Sequence, residues 1–171
     1  AADGKITVPF TMVIGYDGAD SVSVDMKNAA GTVVATENYA KDAAEGVVTF
    51  TPAASGDYTF TITAARKDEA DKTGTDKEFK GFELPLAKPS FQSATSQGGG
   101  KVSLVWDEVT EASSYEVSYS ENGTDFTQPV SVTGTEYVVS GLTVGKEYTF
   151  KLTAVRVLPA AVSEAATITA K

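Results

Sequence analysis

The side chains able to do chemistry in this sequence are carboxylates, hydroxyls and amines, because histidine and cysteine are both absent. Without histidine the commonest general base and transition-metal ligand is missing. Without cysteine there is no disulfide, thiolate nucleophile or thiolate metal site, and redox compartment is unreadable. Paired carboxylates, a Ser–Lys dyad or a tyrosine nucleophile remain. Glycoside hydrolysis needs two carboxyls facing each other across a cleft. Asp17, Asp20, Asp42, Glu45, Asp107, Glu108 and Glu111 fall mostly in stretches that read as turns and loops. The expectation is solvated loop charge, with no catalytic residue.

Three further patterns have ordinary readings. Asp17, Asp20 and Asp25 could gather on calcium, but their spacing matches no calcium loop and Asp is a common turn former. No metal site and no cofactor are therefore expected. Gln97-Gly-Gly-Gly-Lys101 fails as a phosphate cradle: Thr95 stands where the first glycine belongs, and Val102 where Ser or Thr is required. Asn122-Gly-Thr124 is formally a glycosylation sequon, yet Asn-Gly is also the strongest tight-hairpin signal, and the turn is favoured. An intramolecular Lys–Asn crosslink would have to use Asn28, Asn38 or Asn122, each in or beside a turn. Sugar binding would need projecting aromatics. Tyr16, Tyr39, Phe126 and Tyr137 are the ones least committed to a core by alternation, though scattered along the chain.

The elements that must position these residues centre on one stretch used twice. Tyr58–Arg66 (YTFTITAAR) and Tyr148–Arg156 (YTFKLTAVR) share six of nine positions. In each, Tyr, Phe, Ile or Leu, and Ala recur at every second residue, the period of a strand with one buried face. Copies ninety residues apart in a chain of 171 point to two modules of one general architecture.

Upstream of the first copy, Ile6, Val8, Phe10, Met12 and Ile14 alternate, with Pro9 marking an edge or local break. Val22, Val24 and Met26 resume the alternation after a turn at 16–20. Asn28–Gly31 turns into a strand at Thr32–Thr36, and Val48 and Phe50 mark the next. Phe79, Phe82, Leu84 and Leu86 read as the closing strand, with a bulge at Gly81 where the alternation slips. Pro85–Ser90, with two prolines, reads as a semi-rigid boundary between modules 1–86 and 87–171. The second module continues as short strands with turn signals, including a tight hairpin at Asn122-Gly123. This spacing predicts an antiparallel sandwich. The fold class expected is all-β, two tandem antiparallel β-sandwiches.

Residues 1–86 hold 8 basic and 14 acidic side chains (−6), and the remainder 6 and 9 (−3). Neither half offers phosphates a counterion-releasing surface, so nucleic acid is not an expected partner. No apolar run reaches membrane-spanning length. The first residues do not read as a signal peptide, which suits either a mature form or an excised fragment.

The second half resembles a fibronectin type III domain. The residues that carry the likeness are Pro89, Val102–Trp106 (VSLVW), Tyr115–Tyr119 (YEVSY), and Leu142, Gly145, Tyr148 and Ala154, which resemble that family's tyrosine corner. The first half resembles bacterial immunoglobulin-like surface modules through Gly56-Asp57-Tyr58 and its strand pattern. It lacks an obvious opening strand before Lys5, so that edge is either missing or supplied from elsewhere. The resemblance implies a non-catalytic structural or adhesive module of a secreted or cell-surface bacterial protein, not an enzyme. Its partners would be other protein modules or a cell-surface component. The alternative is a carbohydrate-binding accessory module of an extracellular glycan-processing system, with a glycan as partner. The family's topology also puts the apolar loop at 157–162 at the pole facing the first module. Leu158, Pro159 and Val162 are thus candidates for an interdomain contact around Pro52–Asp57, giving a stiff rod; the rival is an exposed protein-binding patch. The charged run Arg66–Lys77 reads as a solvated loop at the opposite pole, or as a contact for a preceding module or a cationic partner.

Overall fold

Alternation of apolar residues at period two is carried through into strands. The computed structural model describes residues 4–11, 19–39, 45–67, 70–74, 76–157 and 160–171, and no helix occurs among them. The chain divides into two units, Ala1–Leu84 and Pro85–Lys171, each with its own core.

In the first unit β1 (Ile6–Thr11) pairs antiparallel with β4 (Glu45–Phe50). The facing sheet holds β2 (Ser21–Asn28), β3 (Val33–Tyr39), β5 (Gly56–Ala65), β6 (Lys72–Thr73) and β7 (Lys77–Phe82). Its order is β3-β2-β5, with β6 and β7 both on the far side of β5. Ile6, Val22, Val24, Met26, Phe50, Phe60 and Phe82 fill the space between the sheets. Each such side chain contributes about 1.5–3 kcal/mol by leaving water.

The second unit follows the same plan with one strand more. β8 (Phe91–Gly98), β9 (Lys101–Trp106) and β12 (Glu136–Ser140) form a sheet of order β12-β9-β8. Facing it are β10 (Ser114–Ser120), β11 (Val130–Val132), β13 (Tyr148–Arg156), β14 (Ala161–Val162) and β15 (Ala166–Ala170). They are ordered β11-β10-β13, with β14 and β15 along β13. Trp106 lies in the core with Phe91 and Tyr115 edge-on to its ring. The repeated stretch is thus β5 in one unit and β13 in the other, central in each larger sheet.

Several turns behave as their sequences suggest. Gly81 sits at φ +66, where the β5–β7 register slips. A bulge there needs the left-handed conformation that glycine adopts at no steric cost. The Gly98–Gly100 turn joins β8 to β9. At Gly100 a Cβ would lie 2.2 Å from the Leu142 carbonyl oxygen, and the Gly100 carbonyl accepts from Leu142 N–H.

Four expectations need correction. The strand expected at 32–36 runs on to Tyr39, with a bulge beside Val34. The charged run is not wholly loop: Lys72 and Thr73 pair with Ala64 and Thr63, because a polar segment can still complete a backbone ladder at a sheet edge. Leu86 does not extend the closing strand, which ends at Phe82; Leu84 packs on the first core and Leu86 on the second. The Asn122-Gly123 turn is not a tight hairpin, since residues 121–129 separate β10 from β11. The Asn122 side-chain oxygen accepts from Thr124 N–H and Asp125 N–H, so a side chain rather than a strand pair closes the turn. Met12 and Ile14, and the turn at 16–18, lie outside the described residues.

Candidate functional site

Each candidate aromatic among the described residues makes its contacts within its own unit. Tyr16 lies outside the described residues. Tyr39 ends β3 opposite Val22, so it faces the core rather than solvent. It packs edge-on to Phe10 at 4.8 Å, and its hydroxyl donates to the Val47 carbonyl. Burial, then the nearby Glu37 carboxylate, raises the Tyr39 pKa above its ordinary value. Tyr137 sits opposite Leu104 on β12 and packs against the second core. Phe126 is half-buried, with the Lys151 ammonium 5.5 Å from its ring centre. Two of the four are therefore core-facing, contrary to the alternation reading: β3 runs beyond Thr36, and Tyr137 shares the inward parity of the buried Val139.

Four of the candidate acids support local structure. Asp20 accepts from Lys67 N–H at 2.6 Å, Asp25 from the Thr36 hydroxyl at 2.6 Å, and Asp107 from the Gln92 side-chain amide at 2.6 Å. Glu111, at φ +64, pairs with the buried Arg156 guanidinium. Among the described residues no three carboxylates gather where a metal could sit. Asp17 and Asp42 lie outside them, as do Leu158 and Pro159 of the interdomain set. Val162 is described: it pairs with Val155 and is 65% exposed.

The repeated tyrosines act as ties. Tyr58 donates its hydroxyl to the Ala54 carbonyl at 2.7 Å, and the Tyr148 hydroxyl accepts from Thr143 N–H at 3.1 Å. Each anchors the turn that feeds its strand. Beside the first of these turns is a feature the sequence reading missed. A cavity of about 430 Å³ is lined by residues that include Met26, Val34, Ala35, Ala54, Asp57 and Tyr58. The small pairs Ala29-Ala30 and Ala53-Ala54 leave this space, and they were its available sequence signal. Asp57 is held below its ordinary pKa of 3.8, first by the Gly81 N–H and then by the Lys80 ammonium.

With this geometry in view, residues 87–166 match the model of the fibronectin type III domain. No curated protein matches the sequence. Among solved structures, a two fibronectin type-III domain segment from chicken tenascin aligns over 98% of this chain and 92% of its own. The TM-score is 0.61 at 16% identity, a likeness of fold. A structure titled FN3tt mut covers 48% of this chain and 94% of its own at 25% identity, with a TM-score of 0.42.

Proposed function

We propose, with the fibronectin type III match of the second unit as premise, that this chain is a non-catalytic structural and adhesive module of a secreted or surface-attached bacterial protein. Modules of this family are generally interaction and structural units, and the tandem tenascin segment shares the fold. The observation that carries the reading is how polar groups are spent. Asp20, Asp25, Asp107 and Glu111 each hold backbone or a neighbouring side chain.

The test has two arms. Purified chain is incubated with chromogenic glycosides, esters and peptides, and no turnover above buffer is expected. The gene product is also labelled with antibody on intact cells, where removal of the label by external protease is expected. Turnover lost on an Asp→Asn change, or a label seen only in lysed cells, contradicts the proposal. Glycan-array binding abolished by Phe126→Ala or Tyr137→Ala would instead favour the carbohydrate-binding alternative.

A further inference from the structure

We infer that the open side of the first sandwich, between β3 and the 51–57 segment, docks an extended peptide of a partner protein. That peptide carries an apolar side chain with a Lys or Arg two residues away. The inference rests on the interaction-module reading above and names the chemistry of its partner.

The cavity supplies the apolar half. Met26 and Tyr58, both core residues, belong to its lining, and Val34, Ala35, Ala53 and Ala54 supply further apolar wall. Val34, 48% exposed, is an apolar part of that lining open to solvent.

Glu37 supplies the charged half. It pairs in register with the buried Val24 and so lies on the core-facing side of an edge strand, two residues beyond Ala35. Two residues of strand span about 7 Å. Residues i and i+2 of an extended peptide have the same spacing on one face, which matches the separation between the cavity wall and Glu37. Among the described residues Glu37 makes no hydrogen bond or ion pair. Its charge helps to hold the Tyr39 hydroxyl protonated, second to burial. The acid in the cavity lining itself, Asp57, is already held by Gly81 N–H and Lys80. A unit with 14 acidic against 8 basic side chains adds long-range attraction for a cationic segment.

The same strand rejects simple strand addition. The bulge beside Val34 breaks its hydrogen-bonding row, and an inward-side charge on an edge strand opposes a flat neighbour. Recognition is therefore by one side chain in the cavity and one cation at Glu37, not by a continuous ladder.

The experiment titrates the ¹⁵N-labelled full chain with the peptide acetyl-Ser-Lys-Ser-Leu-Ser-Lys-Ser-amide at low salt, followed by amide chemical shifts. The central Leu has a Lys two residues away on either side, so both chain directions are sampled. Shifts are expected at Val34, Ala35, Glu37, Ala54 and Gly56, and none with the peptide whose Leu is replaced by Ser. Glu37→Lys is expected to weaken binding roughly fivefold, and Ala54→Trp to abolish it by filling the mouth. Amide dispersion shows whether each variant is folded; if Ala54→Trp is not, Glu37→Lys alone decides. No shifts at millimolar peptide, shifts elsewhere, or unchanged affinity in folded Glu37→Lys overturns the inference. Such a failure leaves the turnover and surface-labelling results standing, so the two readings fail separately.

Discussion

β9 of the second unit is paired on both sides, by β12 and β8, whereas β1 of the first is paired only with β4 among the described residues. The consequence shows in burial. Val102, Leu104 and Trp106 along β9 are 4%, 0% and 1% exposed. Along β1, Ile6 and Phe10 are buried, but Val8 between them is only half-buried. Both units contain nearly the same central strand, β5 or β13, and both build the larger sheet on it. The lesson is that the repeated stretch dictates one sheet, while completeness of the other depends on residues that are not repeated. Pro9 suits an unpaired edge, since it has no N–H to offer a neighbour.

The largest expected effect separates the cores. Trp106→Ala should cost the second unit about 3–5 kcal/mol, with amide peaks of the first unit unchanged in the same denaturant titration. Phe50→Ala should cost the first unit a similar amount while the fluorescence midpoint of Trp106, the sole tryptophan, stays put. If both signals move together in either variant, the units do not have separate cores.

The next effect concerns the turn between β8 and β9. Gly100→Ala meets both a left-handed backbone and the Leu142 carbonyl, and should cost about 2–3 kcal/mol. Gly99→Ala, at φ +59 with open space around it, should cost only about 1 kcal/mol. Equal losses in chemical denaturation would show that the close approach does not matter. Smaller still is the pair of tyrosine ties. Tyr148→Phe leaves the Thr143 N–H unpaired and should cost about 1–2 kcal/mol, against about 1 kcal/mol for Tyr58→Phe. The reverse order, read from the two units' unfolding midpoints, would put the stronger tie in the first unit.

The smallest effect is a pH dependence tied to the Gly81 bulge. Asp57 has a folded pKa below 3.8. Its stabilising contribution is therefore fully present above pH 3.8 and is lost as pH falls from there through the folded value. Asp57→Asn should flatten that part of the first unit's acid-unfolding curve and leave the second unit's unchanged. An identical curve would remove Asp57 from the account.

Much of this was legible because alternation survives folding. The buried faces of β2, β5, β9, β10 and β13 are the apolar series in the sequence, and Gly81 announces its bulge by the slip between Phe79 and Phe82. The surroundings of the candidate site were less legible for a physical reason. Whether Tyr39 and Glu37 face inward depends on where β3 ends and on a bulge at Val34, and one inserted residue reverses every side chain after it. Tyr137 and Tyr39 looked unattached because each lies near the end of its strand. The cavity arises from small residues on two turns that meet only in space. Lys72 and Thr73, polar and short, carry no periodic mark at all.

The most direct test of the difference between the units is amide hydrogen exchange along β1 and β9. The β9 amides from Lys101 to Trp106 are expected to exchange only with opening of the second unit. In β1, the amides pointing away from β4 should exchange at rates near those of free peptide, alternating with protected ones. Uniform, strong protection along β1 would show that its outer edge is paired and would contradict the account.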